Sequence, residues 1–289
     1  MYPAPSVIVF SILSGLGFGF MAFLAAGFWP LSGGIAFLVW GFGYVLAVGG
    51  LVASTAHLGN PQRAWRAFSQ WRSSWLSREA WVAVAALLAL APIALGDWQG
   101  FAVPGLWRLM AAVLALAVVA CTAMIYAQIR AVPRWNHWTT PVMFLGFSLS
   151  GGALLAGQGA LAGVLLLALA VVMLITFALG DSRFAARGAT LETATGLGGI
   201  GRVSVFEQPH TGGNYLLREM IFVVGRKHAL KLRAIAVVCA AFLPALMAFV
   251  GGWPLHIAAV AVHLVGAFAA RWLFFAEAEH VVGLYYGKR

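Results

Sequence analysis

Acidic side chains are scarce in this sequence: its 289 residues include 8 Asp and Glu, and only 9% of the chain is charged at all. A soluble domain carries roughly 25% charged residues. The shortage excludes an ordinary water-facing surface, because the fraction of a chain that folding can hide grows too slowly with size. Cysteine is nearly missing too. Cys121 and Cys239 each sit inside an apolar run, with no CxxC or CxH neighbour. They exclude an iron–sulfur ligand set or a zinc site of their own making and read as small buried hydrophobes. A basic leader ahead of a short apolar core is also lacking, so no cleavable signal peptide is expected.

What is present is apolar: 62% of the residues are hydrophobic. A bilayer-spanning helix needs about 20 predominantly apolar residues. Eight runs qualify, at 7–28, 35–58, 80–95, 104–128, 141–156, 160–179, 234–250 and 255–275, the third and fifth being short. They are continuously apolar and do not alternate, so helices are expected and a β-barrel is not. The expected fold is all-α, a single integral membrane domain over 1–289 with eight transmembrane helices. The segment 181–233 forms a loop between the sixth and seventh spans and ends in a basic interfacial helix.

The chain carries 18 Lys and Arg. Eight spans put both termini and the three long connections, 57–79, 130–140 and 181–233, on one side. That side holds every Lys and Arg except Arg108. The positive-inside rule makes it cytoplasmic, and the basic residues read as topology determinants and lipid-headgroup contacts, not a nucleic-acid footprint.

Several motifs reduce to structure. Gly196-Leu-Gly198-Gly-Ile-Gly201 has the letters of a dinucleotide fingerprint but no βαβ unit around it, so a loop is expected. The GxxxG of Gly15 to Gly19 reads as a close helix crossing. His256 and His263 share a face of the last span, yet His57, His137 and His280 lie toward the basic end, so no haem is expected. Arg271 with Glu277, Glu279 and His280 reads as an ion-paired helix end, or else as a proton entry path.

The richest stretch runs from His57 to Glu79. Gly59-Asn-Pro61 breaks the second span, and Arg63, Arg66, Arg72 and Arg78 then interleave with Trp65, Trp71 and Trp75. One reading is an aromatic and basic anchoring belt. The other is a quinone pocket at the same boundary: an apolar cleft for the tail, polar groups for the carbonyls, and a titratable residue for protons. His57 suits that titration, Arg63 can donate to a carbonyl, and Glu79 is costly in a span unless paired or functional. The link from Arg130 to Pro141, with Trp135 and His137, reads either as a rigid, aromatic-anchored turn or as the opposite wall of that pocket, with Tyr126 below it.

These motifs resemble the DMSO reductase anchor subunit family (DmsC type). The resemblance rests on His57-Leu-Gly-x-Pro-x-Arg63-Ala, Leu76-Ser-x-Glu79, Tyr126 with Val132-Pro133-x-Trp135, Trp138 before Thr140-Pro141, and Arg271-x-x-Phe-Phe275. It covers nearly the whole chain. It implies a quinone-reactive anchor without a substrate site of its own, in the inner membrane, holding a four-cluster iron–sulfur subunit and a molybdopterin catalytic subunit. It carries the quinone-site roles to His57, Arg63 and Glu79, with His57 and Glu79 in proton transfer and Trp65, Tyr126 and Trp135 around them. The 181–233 insertion departs from the DMSO reductase pattern and is more similar to the anchor of sulfite dehydrogenases whose partners stay in the cytoplasm, a side the charge asymmetry also favours. The implied function is electron passage to quinone during sulfite oxidation. The alternatives are menaquinol oxidation for DMSO reduction, a purely structural tether, and a secondary transporter. The last would show broken helices and charges at mid-span.

Overall fold

A computed structural model describes residues 1–207, 210, 212–221 and 228–287, and of His57 the backbone only. Every described element is helical, and no strand occurs among the described residues. The helices are α1 (Pro5–Ala25), α2 (Gly33–Ala53), α3 (Trp75–Gln99), α4 (Gly105–Ala127), α5 (Thr139–Leu155), α6 (Gly159–Ala186), the short α7 (Leu191–Thr195), α8 (Ala229–Val237), α9 (Leu243–Val250) and α10 (Trp253–Ala276). A π turn, Val238–Phe242, joins α8 and α9 into one rod. Counting that rod once, 7 helices among the described residues are long and apolar enough to cross a membrane. The remaining expected span, the fifth, is α5, a shorter apolar helix of 17 residues. At 1.5 Å per residue it is about 25 Å long, a little under the roughly 30 Å hydrocarbon core.

The third span departs most from its expected length, 80–95. It is a helix of 25 residues that takes in both Glu79 and Asp97. Charge count alone ends an apolar run at such residues. Here both acids have partners inside the bundle: Thr122 donates to Glu79, while Arg108 and the Trp40 indole donate to Asp97. Paired, they no longer break the span. Asp181 lies likewise inside α6, engaged by Arg134 and Arg233. The 181–233 connection is therefore shorter than its sequence limits, running from the end of α6 at Ala186 to Ala229. Residues 222–227, in the middle of the expected interfacial helix, lie outside the described residues.

The helices form two four-membered rings. In one, α1, α2, α3 and α4 pack in cyclic order; in the other, α5, α6, the α8–α9 rod and α10 do the same. The rings meet where α1 contacts α5 and α10 and α4 contacts α5, which makes α1 the most enclosed of the spanning helices. Small residues set these crossings. A side-chain carbon on Gly152 would meet the Gly19 backbone at 2.5 Å, so α1 and α5 touch main chain to main chain. Gly19 thus supplies a crossing from the expected GxxxG, whereas the space beside Gly15 is open. The amino terminus donates to the Ala278 carbonyl, 2.7 Å away, just beyond α10. The start of the chain and the exit of α10 therefore share one end of the bundle.

Candidate functional site

At that same end, α2 gives way to a 3-10 turn, Ser54–His57, then to Gly59-Asn60-Pro61 and a second 3-10 helix, Pro61–Phe68. A residue before proline is pushed out of the helical region; Asn60 has φ −138° and ψ 76°, and the chain turns there. Pro61 opens the next helix, where its missing N–H is no loss. Two contacts tie the returning segment to α3. The Trp81 indole donates to Phe68 O at 3.0 Å, with the two rings edge to face. Arg78 donates to the carbonyls of Trp71 and Arg72 and stacks on Trp75.

This strap roofs a cleft of about 830 Å³ between α1, α2, α3 and α4, within the usual range for small-ligand sites. Its deep walls are apolar, including Val7, Phe10, Leu51, Ala83 and Leu87, and its mouth carries Thr55, Asn60, Arg63 and Gln70. Three polar groups stand deeper. Glu79 is 3% exposed and accepts from Thr122. Ser77 is buried, and its hydroxyl hydrogen-bonds nothing among the described residues. Tyr126 closes the α4 side. Thr122 has one hydroxyl hydrogen but faces two acceptors, Glu79 and Val118 O. Both contacts can be full hydrogen bonds at once only if the carboxyl supplies a hydrogen itself.

The residues singled out in the sequence divide accordingly. Arg63, Glu79 and Tyr126 line one cleft. The His57 backbone belongs to the turn whose Ser54 and Thr55, with the following Leu58, line it too; the His57 side chain lies outside what is described. Trp65 faces away, 66% exposed, beneath Arg66, as an interfacial anchor does. Trp135 sits one layer behind Tyr126. It stacks on Phe274 and donates its indole N–H to the Phe274 carbonyl, and its ring lies edge-on to Tyr126. It is buried support rather than wall. Ser77 and Thr122 complete the site; the first is visible within Leu76-Ser-x-Glu79, whereas a lone threonine in an apolar run gives no such signal.

The remaining candidates resolve into packing and ion pairing. His256 Nε2 donates to Leu154 O, and His263 Nδ1 donates to Ala240 O in the π turn at 2.6 Å. No group of three or more His, Cys, Asp or Glu able to hold a metal occurs among the described residues. The end of α10 is ion-paired, as expected, but Arg271 has no part in it. Glu277 pairs with Arg134 and Arg233, which also hold Asp181. Arg271 turns into the helix bundle instead, stacked on Phe144. In the link between α4 and α5, burial and then the nearby Arg183 hold His137 below the usual imidazole range.

The model of the DMSO reductase anchor subunit (DmsC) matches residues 6–277. The sulfite dehydrogenase subunit of Allochromatium vinosum that aligns with this chain is 32% identical to it over 327 residues, and the alignment covers 99% of this chain and 99% of that protein. No solved structure matches the chain.

Proposed function

This chain belongs to the DMSO reductase anchor subunit family, and on that footing we propose that it is the quinone-binding membrane anchor of an oxidoreductase with iron–sulfur and molybdopterin subunits. One observation carries the reading: a single cleft at the basic end combines a deep apolar interior with Arg63, Ser77, Glu79 and Tyr126. The fit to a quinone is chemical. The apolar walls suit an isoprenoid tail, and Arg63 and the Ser77 hydroxyl, unpartnered among the described residues, are donors for ring carbonyls. Glu79, in contact with Thr122, is placed to hold or release a proton at the ring. The quinone, when bound, supplies the two-electron chemistry; the chain binds, orients and handles protons.

The same reading counts α5 as a span, making eight, and puts the chain in the inner membrane. Two observations support this. A first helix that begins where the last one ends requires an even number of crossings. The basic residues gathered at that end make it cytoplasmic, together with both termini and the connection between α6 and α8. Sulfite is the favoured substrate of the partner, since the relative that aligns end to end belongs to a sulfite dehydrogenase. DMSO reduction is the second reading, on the family model's description.

The test is sulfite-driven reduction of added quinone by membranes carrying the assembled complex. Glu79→Gln and Arg63→Gln should each slow it about tenfold to a hundredfold, since a lost charge-assisted contact is worth about 1.5–3 kcal/mol. Assembly of the complex should be unchanged. Wild-type quinone kinetics in both variants would move the site away from this cleft. DMSO-dependent quinol oxidation without sulfite activity would reassign the partner.

A further inference from the structure

Arg271 is 4% exposed, inside α10 and within two turns of its end. Its Nη1 is buried and hydrogen-bonds nothing among the described residues. An arginine so placed ordinarily snorkels to the nearer interface. This one runs the other way. Its guanidinium carbon lies 3.6 Å from the centre of the Phe144 ring and 5.5 Å from that of Phe274. It lines a cavity of about 20 Å³ with His263, Leu264 and Ala267, from earlier turns of its own helix. A helical side chain leans toward the helix N-terminus, and here that lean carries a permanent positive charge toward the middle of the bilayer.

The cavity suits that charge. His263 donates through Nδ1 to Ala240 O, so its Nε2 is an acceptor. Ser11 and Ser148 also line the cavity and donate to backbone carbonyls, which leaves their oxygen lone pairs available. The space admits one water, with Nη1 as donor to it and Nε2 as acceptor from it. On the far side, the Phe144 and Phe274 rings that hold Arg271 also hold Tyr126, at centroid distances of 5.7 and 5.4 Å. Tyr126 in turn walls the cleft. One layer of aromatic rings therefore separates the guanidinium from the cleft wall. Three acids at this end of the bundle are already engaged, Glu79 by Thr122 and both Asp181 and Glu277 by Arg134 and Arg233.

We propose that Arg271 is a specificity residue: its buried charge, set behind Tyr126, selects cleft ligands whose ring carries negative charge. The inference rests on the reading of the cleft as a quinone-class site. A unit charge about 10 Å away through a medium of effective dielectric about 20 changes affinity for an anion on the order of tenfold. A neutral ligand feels little of it.

The purified complex can be titrated with 2-hydroxy-1,4-naphthoquinone, a vinylogous carboxylic acid ionised at neutral pH, and with its uncharged methyl ether. Wild type should bind the anion more tightly than the ether. Arg271→Gln should weaken the anion about tenfold and the ether less than about twofold, and Arg271→Lys should recover most of the loss because the charge returns. Gly151→Ala provides a steric control: the new methyl would meet His263 Nε2 at 3.0 Å and Leu16 at 2.7 Å and crowd the cavity while the charge stays in place, so the preference for the anion over the ether should persist. Equal weakening of both ligands in Arg271→Gln, or none, overturns the proposal. Failure of wild type to bind either ligand would instead overturn the reading of the cleft.

Discussion

Removing Glu277 should destabilise this protein more than removing Asp181, although Asp181 makes the shorter and more numerous contacts. Asp181 accepts from Arg134 at 2.6 Å and from Arg233 at 2.5 and 2.7 Å. Glu277 accepts from the same two arginines at 3.2 and 2.7 Å. Distance alone favours Asp181. Burial reverses the order: the Asp181 side chain is 52% exposed, that of Glu277 only 5%. A pair at 4 Å interacts by about 1 kcal/mol in water and about 4 kcal/mol at an effective dielectric of 20. Breaking a fully buried pair costs about 3–5 kcal/mol, mostly from the charge left unpaired. Asp181 still faces both arginines after Glu277→Gln, so about 2–3 kcal/mol is expected. Water can replace Asp181, and Asp181→Asn should cost about 1 kcal/mol after solvent screening. Reversible unfolding of the full chain in mixed micelles, titrated with denaturing detergent, reads both. A cost for Asp181→Asn equal to or above that of Glu277→Gln would refute the reasoning, because contact length would then outweigh desolvation.

Two further outcomes follow from the crossings and the charge pattern. Gly152→Leu should destabilise the chain by about 3 kcal/mol or more in the same titration, since α1 and α5 meet through backbone there; Gly41→Leu, with open space at its side-chain position, should be near neutral, and equal effects would dismiss the close crossing. Reporter fusions after Gly287 and in the turn at Gly100 should label opposite membrane faces, the first cytoplasmic, and labelling on one face would overturn the orientation.

The cleft is partly legible in the sequence because its chemistry lies close together in the chain. Arg63 and Glu79 both follow one helix-breaking segment within a few turns of chain, and a Gly-Asn-Pro break between apolar runs marks a boundary whatever the tertiary packing. Tyr126 is distant in sequence but sits at the same end of its span, so simple up-and-down threading brings it near. Ser77 is marked by its place in Leu76-Ser-x-Glu79, whereas Thr122 does not stand out, because a hydroxyl in an apolar run can bond its own helix and leaves no pattern. Trp65 and Trp135 look alike as interfacial tryptophans. Only packing turns one outward and puts the other behind Tyr126.

Scarce charge, continuous apolar runs and one-sided arginines determine the environment, the helical class and the basic end from composition alone, because the bilayer leaves a backbone few ways to satisfy its hydrogen bonds. Helix ends and charge partners are another matter. Whether Glu79, Asp97 and Asp181 end a span or lie inside one depends on Thr122, Arg108, Arg134 and Arg233, which the fold brings from other segments. Arg271 shows the same limit most clearly. Its place beside Glu277 in the sequence suggests an ion pair at a helix end, yet the lean of a helical side chain sends its charge inward to Phe144, while Glu277 pairs with arginines from two other segments.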